Sequence, residues 1–313
     1  MPLRIVFCGT PAFALPALRH LIAQPDFKIE SVVTQPDRPS GRGYETSTPP
    51  VKEAALEAGI AVYQPEKINS DSAFEFFQRA APDVVVIIAY GQIIPARLIE
   101  IPRLGWINLH ASLLPKYRGA APINWAIVNG ETRTGVTTMQ IDAGLDTGPM
   151  LLRNEVSIGP DETAPELSAR LAEAGAPLVA ETLRKLDRGE ITPTPQDNSR
   201  ATLAPMLKKE DGRIDWRQSS QKIYNRIRGL QPWPGTFTTF RGKTCQIWGR
   251  ALKPVASGGR PGILLPTRED GLLVICGEGV LRVDYAQMEG RKRVAGMEFA
   301  GGARIQPGER FGA

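Results

Sequence analysis

Histidine and cysteine are scarce in this chain, and long apolar runs are missing from it. Its 313 residues include 2 histidines and 3 cysteines. Cys8, Cys245 and Cys276 are widely scattered and odd in number, so neither a thiolate metal centre nor a disulfide framework is expected. They read as buried thiols in a reducing compartment. No stretch approaches the roughly 18 consecutive apolar residues of a membrane span. The opening Met-Pro-Leu-Arg-Ile-Val-Phe-Cys-Gly reaches a glycine too early for the apolar core of a signal peptide. The expectation is a cytoplasmic protein with no membrane partner.

What is present is an ordinary globular composition, 42% hydrophobic and 23% charged, which argues against a largely disordered chain. The length exceeds the usual size of one domain, so two domains are expected, each with its own core. Charge is unevenly spread. Residues 208–313 hold 19 Lys and Arg against 10 Asp and Glu, whereas residues 1–207 hold 19 against 23. A basic module beside an acidic one points to a polyanionic partner such as nucleic acid.

The first half alternates strand and helix signals. Arg4–Cys8 reads as a strand, Phe13–Ile22 as a helix and Ile29–Thr34 as a second strand. A Pro-, Gly- and Arg-rich loop follows over residues 35–50. Then come a helix at Val51–Gly59, a short strand near Val62 and a helix at Ser70–Ala80. The run Val84–Ala89 is apolar at every position, as in a strand covered on both faces. Trp106–His110 and Thr134–Ile141 are further strands, and Ala164–Arg188 is a long amphipathic helix. Such alternation implies an α/β domain built on a doubly wound, mostly parallel sheet, over residues 1–189. Residues 190–207 have linker composition. Residues 208–313 show a short helix and several short strands, as in a small β-barrel of the oligonucleotide-binding kind.

With two histidines, the candidates for a histidine acid or base are few. His20 reads as an ordinary residue of the first helix. His110 ends a strand, and a period of two places Asn108 on the same face. Ligands collect at the carboxyl ends of strands in open α/β sheets, where this pair lies. The segment Gln140-Ile141-Asp142-Ala143-Gly144-Leu145-Asp146-Thr147-Gly148-Pro149 adds two carboxylates in a glycine-rich loop bent enough to bring Asp146 back to the sheet edge. A carboxylate orients an imidazole and favours its charged form, and an amide donates to a developing oxyanion. The set suits acyl transfer to an amine, with histidine's ordinary pKa of about 6.5 already close to operating pH.

The run Asn108-Leu109-His110-Ala111-Ser112-Leu113-Leu114-Pro115-Lys116-Tyr117-Arg118-Gly119 closely resembles the signature of folate-dependent formyltransferases, and Asp146 stands where their essential aspartate does. Phe7–Phe13, Gln35-Pro36-Asp37-Arg38, Ala89–Pro95 and Gln231-Pro232-Trp233-Pro234-Gly235 resemble the branch of that family acting on initiator methionyl-tRNA, nearly end to end. The resemblance implies 10-formyltetrahydrofolate as formyl donor, no metal, and catalysis by Asn108, His110 and Asp146. Ser112, Leu113, Leu114 and Pro115 would line the folate site, and Tyr90, Gly91, Gln92 and Ile93, together with the loop containing Asp142, would hold the pterin end. The loop with Arg38 and Arg42 resembles one that meets the tRNA acceptor end, although Tyr44 and Glu45 stand where lysines are common. Lys208 and Lys209, with Arg213, Lys222, Arg226 and Arg228, are candidates to track a tRNA backbone. A monomer is expected.

The rivals are fewer. Gly9-Thr10-Pro11-Ala12-Phe13 lacks the spaced glycines of a dinucleotide fingerprint, which disfavours a nicotinamide oxidoreductase. Formyl transfer to glycinamide ribonucleotide or to an amino sugar is the alternative within the family, and a basic C-terminal module is what it leaves unexplained. A non-catalytic tRNA-binding protein would have no need of Asn108, His110 and Asp146 together.

Overall fold

The computed structural model describes residues 1–40, 45–252 and 259–312, and the chain divides into two compact units. The first comprises residues 1–122, 133–157 and 168–204; the second comprises residues 123–132, 158–167 and 205–313. Arg42 and Tyr44 of the basic loop lie outside the described residues.

In chain order the elements begin β1 (Leu3–Gly9), α1 (Leu15–Ile22), β2 (Phe27–Val33), β3 (Arg38–Ser40), β4 (Glu45–Ser47), α2 (Pro50–Glu57) and β5 (Val62–Tyr63). There follow α3 (Asp71–Ala80), β6 (Val84–Ile88), α4 (Ala96–Ile99), β7 (Trp106–His110), α5 (Pro122–Val128), β8 (Arg133–Gln140), β9 (Met150–Ser157) and α6 (Ala164–Asp187). A seven-stranded sheet of order β5-β2-β1-β6-β7-β8-β9 forms the first unit. Pairing is parallel from β5 through β7 and antiparallel for β7–β8 and β8–β9, so the sheet is mixed, with the expected parallel part at its centre.

The all-apolar reading of β6 holds: all five of its residues are buried. Around it, helix α3 starts where the Ser70 hydroxyl accepts the Ala73 N–H at 3.2 Å, and it presents Phe77 to Trp106, with ring centroids 5.1 Å apart. The Trp106 indole N–H donates to the Leu98 carbonyl at 2.7 Å, so a large ring is buried without stranding its polar atom. Each such large apolar side chain contributes about 1.5–3 kcal/mol. After β1 the chain pairs β2 on one side and then crosses to β6 on the other. The carboxyl ends of β1 and β6 therefore flank the point where the strand order reverses.

Several expectations are corrected in detail. The first helix is preceded by a 3-10 turn at Ala12–Ala14 and becomes α-helical only at Leu15, because Pro16 fits a helix's first turn and no later position. Strand β9 was not expected; it is an edge strand with no buried position, and its apolar run stops after Met150-Leu151-Leu152. Residues 190–204, read as linker, belong to the first unit, where Thr194 pairs with Met150 and Ala204 with Arg118.

In the second unit α7 (Ser220–Gly229) precedes β10 (Phe237–Phe240), β11 (Lys243–Ala251), β12 (Leu264–Thr267), β13 (Gly271–Ile275), β14 (Val280–Met288), β15 (Val294–Ala295) and α8 (Gly296–Ala303). The strands form one antiparallel sheet of order β10-β11-β14-β13-β12, with β15 also on β14. Strand β12 carries Pro266 and lies at the sheet edge, where the missing N–H costs no ladder bond. Trp216, Phe240, Phe299 and Phe311 pack as an aromatic cluster in its core. Near the end of the chain, the Phe311 N–H donates to Gly262, which precedes β12, and the Gly312 N–H donates to Thr239 of β10. Cys245 and Cys276 are buried here and Cys8 in the first unit; burial pushes all three thiols up, Cys245 to about 11 and Cys276 to about 12.

A pH effect on stability is written into the first unit. The Asp83 carboxylate accepts the Arg4 N–H at 2.9 Å and the Arg103 Nε–H at 2.8 Å. Burial raises its pKa, but the Arg4 N–H and the Arg103 guanidinium outweigh that and hold it below the usual carboxylate value. A lowered folded-state pKa gives stability that is present above the unfolded value of about 3.9 and is lost as pH falls through the folded one. Asp83→Asn is therefore expected to lower the urea midpoint at pH 6, with the deficit narrowing toward pH 3.

Candidate active site

Strand β7 leaves the sheet centre with Leu109 facing α6, where a side-chain carbon on Gly175 would collide with it, and with Asn108 and His110 on the opposite face. Antiparallel β8 places Gln140 beside Ile107, so the loop that follows starts at the wrong end of β7 to reach His110. It folds back over the Asn108 face instead. Gly148 allows this, since a Cβ there would run into the Gln140 carbonyl. Asp146 adopts a left-handed backbone, φ 52°, a conformation Asp tolerates better than most residues.

The result is a pair. His110, only 6% exposed, has Nδ1 3.6 Å from Asp146 Oδ2, an ion-pair distance. Its Nε2 lies 2.9 Å from the Tyr117 carbonyl, which only accepts, so Nε2 is the donor and Nδ1 is the nitrogen that faces Asp146. Asp146 Oδ2 also accepts the Gly119 N–H at 2.8 Å. Gly119 has φ 121°, and a Cβ there would lie 2.6 Å from the Ala204 carbonyl, so glycine is required on both counts. Asn108 is half-buried, and its amide makes no hydrogen bond among the described residues. The structure thus gathers two groups that handle protons and one free donor, all on one face of β7.

The turn after His110 is built by its own residues. The buried Ser112 hydroxyl donates to the Lys116 carbonyl at 2.6 Å, the Thr137 hydroxyl donates to the Ser112 carbonyl at 2.7 Å, and Leu114 is buried. Leu113 and Pro115 are half exposed. In the second candidate loop, the Tyr90 carbonyl accepts from the Thr10 hydroxyl at 3.1 Å and the Gln35 amide at 3.2 Å. The Tyr90 ring is buried with its hydroxyl unpartnered, and burial, reinforced by Cys8 and Tyr63, pushes that phenol far up, so it stays neutral. Gly91 has φ 93°, Gln92 spends its amide on Ile68 and Glu66, and Ile93 is 90% exposed. Asp142 turns inward, accepting the Gly144 N–H at 3.0 Å and the Thr147 hydroxyl at 2.7 Å. Ile141 packs against the core cluster containing Tyr90 and Ile94, so the two loops are neighbours.

The basic residues fall into two groups. Arg38 is exposed and lies 3.9 Å from Glu66, and Lys208, Lys209, Arg213 and Lys222 are exposed. Arg228 is 5% exposed and donates to the Gly159 and Glu162 carbonyls and to Asn225, and Arg226 is half-buried with its head group on the Asp211 carbonyl. These two are structural and unavailable to a phosphate, which corrects the reading of α7 as a basic face. Among the described residues, no group of three or more His, Cys, Asp and Glu side chains could hold a metal ion. No helix in the described chain is long and apolar enough to cross a membrane.

One group was missed in the sequence. The Gln196 amide donates to the carbonyls of Asp146 and Gly148, both at 2.8 Å, and accepts from Arg118. A glutamine amid Pro, Thr and Asn carries no periodicity that could have marked it.

Comparison with known proteins assigns the chain to a family. Residues 3–183 match the formyl transferase family and residues 206–304 its C-terminal domain. The chain is 54% identical over 310 residues to a methionyl-tRNA formyltransferase of Solibacter usitatus, covering 99% of each. It is 50% identical over 313 residues to one of Acidobacterium capsulatum, covering 99% of this chain and 100% of that one. Among solved structures, WlaRD, a sugar 3N-formyl transferase crystallised with dTDP and 5-N-formyl-THF, superposes with a TM-score of 0.66 at 18% identity, covering 93% of this chain and 100% of that one. HypX from Aquifex aeolicus in complex with tetrahydrofolic acid gives 0.62 at 17% identity, over 96% of this chain and 47% of that one. With both family models matched and about half identity along almost its entire length, the chain belongs to the formyl transferase family.

Proposed function

We propose that this protein transfers the formyl group of 10-formyltetrahydrofolate to the free amino group of initiator methionyl-tRNA, for translation initiation. The observation that carries the choice of acceptor is the full-length match to relatives that bear that activity in their names, at about half identity over both units. The donor fits the residues present. Exposed Ile93 and Leu145 offer apolar surface on two neighbouring loops whose backbone groups can pair with a pterin. When bound, the folate supplies the activated formyl group.

Asn108 Nδ2 donates to the negative charge that develops on the formyl oxygen, and His110, with its Nδ1 side turned to Asp146, lies on the same face of β7. Asp146 holds His110 in register and takes up the proton that the attacking amine loses, which leaves on the tetrahydrofolate nitrogen as the bond from that nitrogen to the formyl carbon breaks. Leu113 and Pro115 offer half-exposed surface beside the pair. Ser112 and Leu114 act by shaping the turn, as Gln92 and Asp142 shape theirs. Exposed Arg38, Lys208 and Lys209 are available to tRNA phosphates. In this reading residues 1–189 form the catalytic domain, and the basic residues 208–313 form a tRNA-binding domain whose sheet closes as a barrel. Support for closure comes from the tail, which bonds next to β12 at Gly262 and to β10 at Thr239. The protein acts as a monomer in the cytoplasm: all three catalytic side chains come from one chain, and its buried free thiols suit a reducing compartment.

The test offers 10-formyltetrahydrofolate with charged initiator tRNA, glycinamide ribonucleotide and water as competing acceptors. Formylation of the tRNA alone is expected. Preferential transfer to the small amine would overturn the acceptor and leave the catalytic chemistry standing.

A further inference from the structure

We infer that Gln196 and Arg118 are positioning residues for the His110–Asp146 pair, and that the segment 194–204 is a strap that sets the catalytic geometry. The inference rests on the proposed catalytic role of Asp146.

Two residues of one tripeptide touch the pair directly, and the third reaches it through Gln196. The Tyr117 carbonyl holds His110 Nε2 and the Gly119 N–H holds Asp146 Oδ2. Between them, Arg118 is 7% exposed and donates from Nε at 3.0 Å and Nη2 at 2.8 Å to Gln196 Oε1, and from Nη2 at 2.8 Å to Asn198. The two amide protons of Gln196 then go to the carbonyls of Asp146 and Gly148, on either side of Thr147. The side chain of Asp146 and its backbone are thus held by the same tripeptide, one directly and one through Gln196. The strap fixes that tripeptide in turn. The Arg118 N–H donates to the Thr202 carbonyl at 2.8 Å, the Ala204 N–H to the Arg118 carbonyl at 2.7 Å, and the Tyr117 N–H to the Thr202 hydroxyl at 2.9 Å.

Asp146 needs such a hold. Its backbone is left-handed, and its loop returns from the far end of β7 with its outer residues exposed. The charge of Arg118 also polarises the Gln196 amide toward the two carbonyls it serves. Misplacement of a catalytic group by about 1 Å costs on the order of 100-fold in rate.

The experiment compares Gln196→Ala, Gln196→Glu and Arg118→Lys with the parent and with Asp146→Asn. Glutamate keeps the acceptor for Arg118 but offers no N–H to the carbonyls. Both Gln196 variants are expected to lower kcat by about 10- to 100-fold, with KM for either substrate within about twofold; Arg118→Lys should fall between them and the parent. Because the chain has 2 histidines, replacing His20 by Gln assigns the His110 proton resonance, and its titration curve in Gln196→Ala is expected to move toward that of Asp146→Asn. Parental kcat in both Gln196 variants would overturn the inference. So would a kcat loss with the His110 curve unmoved, since that would make the strap structural alone. If Asp146→Asn itself turns over at the parental rate, the catalytic reading is what fails; if it is impaired while both Gln196 variants keep the parental kcat, only the strap does.

Discussion

Replacing His110 by Ala, or Asp146 by Asn, is expected to lower kcat by about 10²- to 10⁴-fold, the range that positioned proton-transfer groups contribute. The fold should survive both changes. Asparagine tolerates the left-handed backbone that Asp146 adopts and still accepts the Gly119 N–H, so Asp146→Asn removes charge while leaving the loop's anchors in place. His110 lies at the end of β7, where the ladder to Thr137 is a backbone pairing that alanine keeps. Single-turnover formyl transfer, with tRNA and folate binding measured separately, checks the expectation. The double variant should be little worse than either single one, because groups that act as a unit are not additive. Near-parental turnover in either single variant would remove the pair from the mechanism.

Asn108→Ala is expected to cost about 10²- to 10³-fold in kcat, or about 3–4 kcal/mol, as loss of an oxyanion donor does elsewhere. The amide of Asn108 has no partner of its own among the described residues, so its donor is free for a reacting oxygen. Asn108→Asp should be the more damaging variant: nearly identical in shape, it sets an acceptor and a negative charge where negative charge must develop. KM should move little in either. If the aspartate variant keeps more activity than the alanine variant, Asn108 is not a donor to the transition state.

Much of this was legible in order along the chain. The unbroken apolar run of β6 required a strand covered on both faces. The period of two in β7 was enough to put Asn108 and His110 together, because side-chain alternation is a property of the backbone alone. The return of Asp146 was legible as a bent, glycine-rich loop. What it could not convey was that β8 runs antiparallel, so that the loop must travel back along β7 to arrive. Strand direction depends on pairing partners that no local pattern encodes.

In a sequence, polar residues whose bonds lie inside the fold look like polar residues facing water. Arg228 continues a basic pattern on α7, yet its guanidinium satisfies carbonyls at Gly159 and Glu162. Ser112 and Gln92 spend their side chains on backbone groups of the fold. Residues 190–204 have the composition of a tether and the hydrogen bonding of a framework.

That last feature bears on how the protein is made. During vectorial synthesis Asn108, His110 and Asp146 all leave the ribosome well before Gln196 does. A nascent chain long enough to include α6 has every side chain proposed to react and all seven strands of the central sheet. It lacks the residue that grips the backbone of Asp146, and the partner that Arg118 needs before it can be buried. On the positioning role inferred for Gln196, competence arrives some fifty residues after Asp146. A fusion or exchange joint placed at the compositional boundary near residue 189 would cut through the active site while appearing to spare it.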